Sequence, residues 1–307
     1  MQNTNNLSHS KNLLDPKNDF VFKRIFSEAP DLLCHLINAV RSDQPKVTEL
    51  EVLNPTIDPQ ELTGKYIVLD LFAQDIEGTS YNVEMQVRKY KAWSSRSAYY
   101  LSRILMQQLA GGEDYQSLKP AIGIHLLDFE LFDQPMHYDQ AVWCFEMRDR
   151  VQPEVILGHE LQLNLIELPK ADRLGLAKEE LSAWITFFEH WHEEVTMAGI
   201  AYPPVQEALE KVKSLSADDE TRRLAFVRER ALHDEASLLK DAKEEGREEG
   251  HLEGKAEILL QLLVLKFSPL PAWVETKLAQ AGTHQLNLWA ANILLAESID
   301  QVFQDPS

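Results

Sequence analysis

Cysteine is nearly absent from this chain. Cys34 and Cys144 are the only two in 307 residues, and they stand far apart and outside any CxxC spacing. That argues against a disulfide framework and a cysteine-based zinc site, and points to a reducing cytoplasm. Long apolar runs are missing as well. The longest, Ile258 to Leu265, is interrupted by Gln261 and falls far short of the ~20 residues a membrane helix needs. The stretch MQNTNNLSHSKNLL lacks the basic segment and apolar core of a signal peptide, so the expectation is a cytoplasmic protein without membrane association. Positive charge is also scarce: 30 Lys and Arg face 49 Asp and Glu, a formal net charge of −19. Such a balance repels a phosphate backbone at long range, so any contact with DNA has to be local. No P-loop, Rossmann GxGxxG, HExxH or GxSxG motif occurs, which removes the strongest signals for nucleotide binding, zinc proteases and serine hydrolases. What remains is 44% hydrophobic and 26% charged, an ordinary globular balance in a chain long enough for one large domain or two smaller ones.

The most informative stretch is Lys65 to Arg88, KYIVLDLFAQDIEGTSYNVEMQVR, which reads as two alternating strands joined through Gly78. In the second strand Tyr81, Val83, Met85 and Val87 share a core face, and Asn82, Glu84 and Gln86 share the other. In the first, Val68, Asp70 and Phe72 fall together, where an unpaired carboxylate would be costly. A loop Ile76-Glu77-Gly78 closed by Asp75 and Thr79 sets Asp70 directly across from Glu84, with Gly78 tolerating a positive φ. Opposed Cβ atoms sit roughly 4.5–5.5 Å apart, a separation at which two carboxylates repel unless a cation lies between them. Mg²⁺, with Mn²⁺ as its substitute, is the simplest choice: it accepts one or two carboxylates, keeps several waters and works on phosphate esters. The residues alone leave a second reading open, in which Asp70 is a buried acid paired with Lys or Arg and Glu84 is a solvent-facing strand residue.

Asp70, followed after a gap by Glu84-Met85-Gln86, resembles the D…ExQ variant of the PD-(D/E)XK nuclease signature. The surrounding segments LLDPKNDFVFKRIF, ELEVLNPTI, RSAYYLSRILMQQLAGGEDYQSLKP and IELPK, in that order, resemble the Rpn family of recombination-promoting nucleases and transposases over residues 12–170. The resemblance implies a metal-dependent DNA endonuclease, linked to recombination or mobile elements, on a restriction-endonuclease-like α/β core: a mixed β-sheet flanked by helices. It implies that Asp70 and Glu84 hold the metal, joined by the Met85 carbonyl. Gln86 stands where many such enzymes place Lys; its neutral amide positions water or phosphate but is no general base. Asp19 is either an additional acid on the first helix or a helix cap. Lys23, Arg24, Arg88 and Arg96 are candidate contacts to DNA phosphate, with a solvated helix face as the alternative for Lys23 and Arg24, and an ion pair with an acid for Arg96. The alternative function is a catalytically inactive nuclease fold acting as a DNA-associated or protein-binding module.

The rest of the chain supplies the frame. Helices are expected from Asp19 to Val40 and from Ala92 to Ala110, the latter ended by Gly111-Gly112, with Tyr99 and Tyr100 as packing residues. Strands are expected over Val47–Leu53, Ala121–Leu127, Ala141–Met147 and Leu161–Leu168, and their short connections argue for a mixed rather than a parallel sheet. From Lys170 onward the pattern is helical. Leu174 to Met197 reads as one amphipathic helix; His190 and His192 upon it point about 200° apart, so a shared ion is not expected. Residues 171–255 form a helical extension in which Gly246, Gly250 and Gly254 recur every four residues. They make either an acidic flexible linker or a small-residue helix stripe, and the helical case gives a homodimer through residues 235–265. Residues 256–303 form a C-terminal helical region whose role is not readable.

Overall fold

The computed structural model describes residues 13–54, 71–89, 93–110, 114–175 and 177–304. Two compact units divide the chain, Met1–Ala231 and Leu232–Ser307. Residues 171–231 fall within the first unit.

The first unit opens with α1 (Asp19–Ser27) and α2 (Pro30–Val40). Asn18 caps α1, its side chain accepting hydrogen bonds from the backbone amides of Phe20 and Val21. Pro30 starts α2 at a position where its missing N–H costs nothing. Strands β1 (Leu50–Val52), β2 (Leu71–Asp75) and β3 (Ser80–Gln86) follow. The β2–β3 turn closes as the sequence implies: Asp75 N donates to the Thr79 carbonyl at 3.0 Å and Gly78 N to the Asp75 carbonyl at 3.0 Å, with Gly78 at φ 89°. Helix α3 (Trp93–Met106) leads to β4 (Ala121–Leu127), then β5 (Val142–Glu146) and β6 (Leu161–Glu167). The six strands lie in the order β1-β2-β3-β4-β6-β5. Pairs β3–β4 and β4–β6 are parallel and the others antiparallel, so the sheet is mixed.

Its two faces differ in chemistry. On one, Tyr81, Val83, Met85, Ile122, Ile124, Leu126 and Ile166 pack with Phe22, Phe26, Leu33, Ile37, Trp184 and Phe188 from the helices. On the other, Asn82, Glu84 and Gln86 of β3 lie beside Gly123, His125 and Leu127 of β4 by strand register. That face is covered by α3 and by an apolar patch of Trp93, Leu127 and Leu165 with Phe129, Leu131 and Phe132 around it. Gly123 lets α3 approach: a Cβ there would stand 2.7 Å from Leu163 Cδ1 and 3.3 Å from Leu101 Cδ1. Strands β3 and β4 are consequently buried on both sides, as parallel strands at the centre of an α/β sheet are.

The IELPK segment closes the cover. Glu167 accepts hydrogen bonds from the Leu131 and Phe132 amides at 2.5 and 2.8 Å and from Trp143 Nε1 at 2.9 Å. Lys170, wholly buried, meets the same carboxylate at 2.6 Å and donates to the Phe132 carbonyl at 2.8 Å. This clamp ties the segment over the polar face to the end of β6.

Helices α4 (Leu168–Leu174), α5 (Glu179–His190), α6 (Glu194–Ala198) and α7 (Pro203–Ala217) complete the unit. The single helix expected over Leu174–Met197 is thus broken, first at Gly175, which caps α4 in the left-handed region. His190 lies between Asp172, at 3.1 Å, and Glu193, at 3.0 Å, and its hydrogen bonds to Glu193 and Asp172 raise its pKa. Helix α8 (Asp219–Phe267) contains Gly246, Gly250 and Gly254, so that segment is helical and not a linker. A Cβ added at any of the three meets nothing within 4 Å. In the second unit, α9 (Trp273–Ala279), α10 (Thr283–Leu295) and α11 (Ile299–Val302) gather Leu259, Leu263, Val274, Leu278, Trp289 and Phe303 into a core of their own. No helix among the described residues is long and apolar enough to cross a membrane.

Lys170→Met should strand the Glu167 charge in the interior and cost about 3–5 kcal/mol of stability in urea unfolding. A loss under about 1 kcal/mol would show that the clamp is not what holds the covering segment.

Candidate active site

Glu84 is 4% exposed on the covered face of β3. Its strand neighbours on that face hold it from both sides. Asn82 Nδ2 donates to Oε1 at 2.8 Å and Gln86 Nε2 to Oε2 at 2.7 Å. Across the parallel register lies His125, whose Nδ1 is 3.8 Å from Glu84 Oε2 and 3.5 Å from Ser97 Oγ. Ser97 donates to the Trp93 carbonyl at 3.0 Å, and the Trp93 ring stands edge-on to the imidazole at 5.3 Å. Burial pushes the His125 pKa down; the Glu84 charge opposes that shift and the Arg96 charge adds to it, so the ring is neutral at physiological pH. With Ser97 donating elsewhere, the neutral ring presents its Nδ1 hydrogen toward Ser97 and Glu84. Sequence reasoning missed His125 and Ser97. The available signal was one imidazole in the otherwise apolar run AIGIHLL.

Asp70 lies outside the described residues. The register that sets it against Glu84 also sets Leu71 against Val83, and that pair is present. The Met85 side chain is in the core, which leaves only its backbone carbonyl for a ligand. Asp19 does not cap α1; it begins the helix and is gripped by Arg228, with Nε 2.9 Å from both carboxylate oxygens and Nη2 2.5 Å from one. Lys23 is corrected most clearly: at 4% exposure it is a buried residue with a partner, and neither a solvated face nor a surface contact for phosphate. Arg24 is ion-paired with Glu28 and reaches Thr221 Oγ1 at 3.3 Å. Arg88 is half-buried and partnered. Arg96 remains half-exposed on α3 with its guanidinium 5.4 Å from the Tyr100 ring centre. Tyr99 is 65% exposed and so is not the packing residue expected.

At the carboxyl end of β4 the Asp128 amide donates to the Gln86 carbonyl at 2.9 Å. The Asp128 carboxylate holds Lys17 at 2.8 Å, and Glu189 joins it at 3.2 Å. The segment before α1 is thereby anchored beside the residue next to Glu84 on the same strand face.

A family model described as PD-(D/E)XK nuclease family transposase matches residues 16–242. The chain belongs to that family. No curated protein and no solved structure matches it. The mixed sheet with flanking helices is consistent with the restriction-endonuclease-like fold of PD-(D/E)XK nucleases. Nucleases of this superfamily generally use divalent metals. Among the described residues no group of three or more His, Cys, Asp or Glu could hold a metal ion. Glu84 nevertheless fits such an ion: it offers hard carboxylate oxygen oriented by two amides, and Mg²⁺ needs only one or two carboxylates because it retains water.

Asp15, in the anchoring segment, yields a pH prediction. Burial raises its pKa to about 6 against the lowering effect of the Lys17 amide and ammonium, and the Asp128 and Glu189 charges add to the rise. Between about pH 4 and 6 the folded chain then holds a proton that the unfolded chain has released, so this group's contribution to stability falls as pH rises through that window. Asp15→Asn should be more stable than the parent by roughly 2 kcal/mol near neutral pH, with the difference vanishing toward about pH 4. Urea midpoints across the range check this; a difference independent of pH would contradict it.

Proposed function

We propose that this chain is a metal-dependent DNA endonuclease that hydrolyses phosphodiester bonds at the Glu84 centre. The observation that carries the reading is a buried carboxylate braced by Asn82 and Gln86 on β3, in a Glu84-Met85-Gln86 segment that resembles the ExQ variant of the nuclease signature. Family membership supports a nuclease linked to recombination or mobile elements.

Glu84, Asp70 and the Met85 carbonyl would hold Mg²⁺ or Mn²⁺. When bound, the cation offsets phosphate charge and makes water a better nucleophile. The chain's own residues position. Asn82 and Gln86 fix both oxygens of Glu84 through amide hydrogens, so the carboxylate is oriented before any ligand arrives. Gln86 carries no basic group, so it does not take the proton from water. His125 is held neutral by burial and backs the carboxylate without adding a positive charge beside it. The half-exposed Arg96 supplies a permanent cation near this centre for a DNA phosphate.

The net charge of −19 favours a second reading, a nuclease fold that binds a partner without cutting. Incubation of supercoiled plasmid with Mg²⁺, Mn²⁺ or EDTA separates the two. Cleavage should require the metal, and Glu84→Gln and Asp70→Asn should each lower it by about 100-fold or more while the circular dichroism spectrum is retained. Cutting in EDTA, or undiminished cutting by folded Glu84→Gln, would overturn the metal centre; no cutting by the parent under any condition would favour the binding module.

A further inference from the structure

In a chain with a net charge of −19, no Asp or Glu occurs from Met85 to Gly112, and the same stretch carries Arg88, Lys89, Lys91, Arg96 and Arg103. Helix α3 lies within it. Arg96, Tyr99, Tyr100 and Arg103 are spaced i, i+3, i+4, i+7 and so form one stripe along α3. The stripe borders the buried seam of Trp93, Ser97 and Leu101 through which α3 covers Glu84. Six arginines elsewhere in the chain, Arg24, Arg148, Arg173, Arg222, Arg223 and Arg228, each pair with a carboxylate. Among the described residues Arg96 and Arg103 have no carboxylate partner. Arg96 sits over the Tyr100 ring, Tyr100 meets Tyr99 edge-on at 5.8 Å, and Tyr99 is left 65% exposed.

We propose that this stripe is a platform for an unpaired DNA strand, on which Tyr99 stacks a base while Arg96 and Arg103 contact the phosphates to either side. The choice of DNA rests on the nuclease reading; the choice of a single strand rests on the stripe. Two cations are few against the roughly 6–10 phosphate contacts of a duplex binder, so counterion release gives little affinity on an acidic chain. Stacking on an exposed ring adds affinity without charge, and only an unpaired strand offers its base faces. At the Arg96 end of the stripe the adjacent Ser97 stands 3.5 Å from His125 Nδ1, and His125 is 3.8 Å from Glu84, so a strand lying along α3 runs toward Glu84.

Fluorescence anisotropy with a labelled oligothymidylate and a duplex of equal length, both in EDTA, tests the platform with cleavage switched off. The single strand should bind the more tightly. Tyr99→Ala should weaken it about tenfold, whereas Tyr99→Phe, which keeps the ring, should match the parent within about twofold. Arg96→Gln with Arg103→Gln should flatten the log–log salt dependence by about 1.4, two phosphates at about 0.7 each. Equal or tighter duplex binding, or full single-strand affinity in Tyr99→Ala, would overturn the platform. Because the binding assay contains no metal and the cleavage assay requires it, a failed metal centre and a failed platform give different results.

Discussion

A carboxylate in the middle of a strand covered on both faces is the constraint on which this structure turns. An isolated buried charge is costly, and the amides of Asn82 and Gln86 offset that cost by closing on the two oxygens of Glu84. Those amides come at period two on the same strand, so the solution is local to β3. The cover is not local. It needs α3 to lie close, which Gly123 permits, and it needs residues 129–132 to be held down, which the buried Glu167–Lys170 pair does from the end of β6. One buried charge pair thus secures the environment of another carboxylate two strands away.

That arrangement separates two kinds of polar burial. Glu167 is saturated: three donors besides Lys170 meet it, which leaves little capacity for a ligand. Glu84 is met by amides of its own strand, and a neutral imidazole lies across the register. The first carboxylate ties distant segments together; the second is oriented from within β3. That difference in reach, more than burial itself, separates the clamp from the candidate ligand.

The hairpin and its register were legible because alternation and a single turn glycine act over a few residues. Val83 opposite Leu71, the closure at Asp75 and Thr79 and the shared face of Asn82, Glu84 and Gln86 all follow from them. Long-range pairings were not legible. Asp19 looked like a cap or a catalytic acid, and nothing near it in the chain announces Arg228, 209 residues later. His125 was hidden because an apolar strand reads the same with or without one buried imidazole. Lys23 was read from its charge, yet the apolar face of α1 carries it inward. The break at Gly175 and the continuous helix through Gly246, Gly250 and Gly254 show the two ways a glycine is used, and composition alone does not choose between them.

The acidity of the chain stops being a paradox once charge is considered by neighbourhood. Six of the thirteen arginines pair with carboxylates, and the stretch from Met85 to Gly112 that contains α3 carries no acid. The cleavage reading, however, depends on Glu84 being a metal ligand. Mn²⁺ binding followed by electron paramagnetic resonance on the full chain, without DNA, measures that directly. Glu84→Gln should abolish the bound-ion signal that the parent gives, while its thermal unfolding remains cooperative. An equal bound signal in the folded variant, or none in the parent, would contradict a metal centre at this carboxylate.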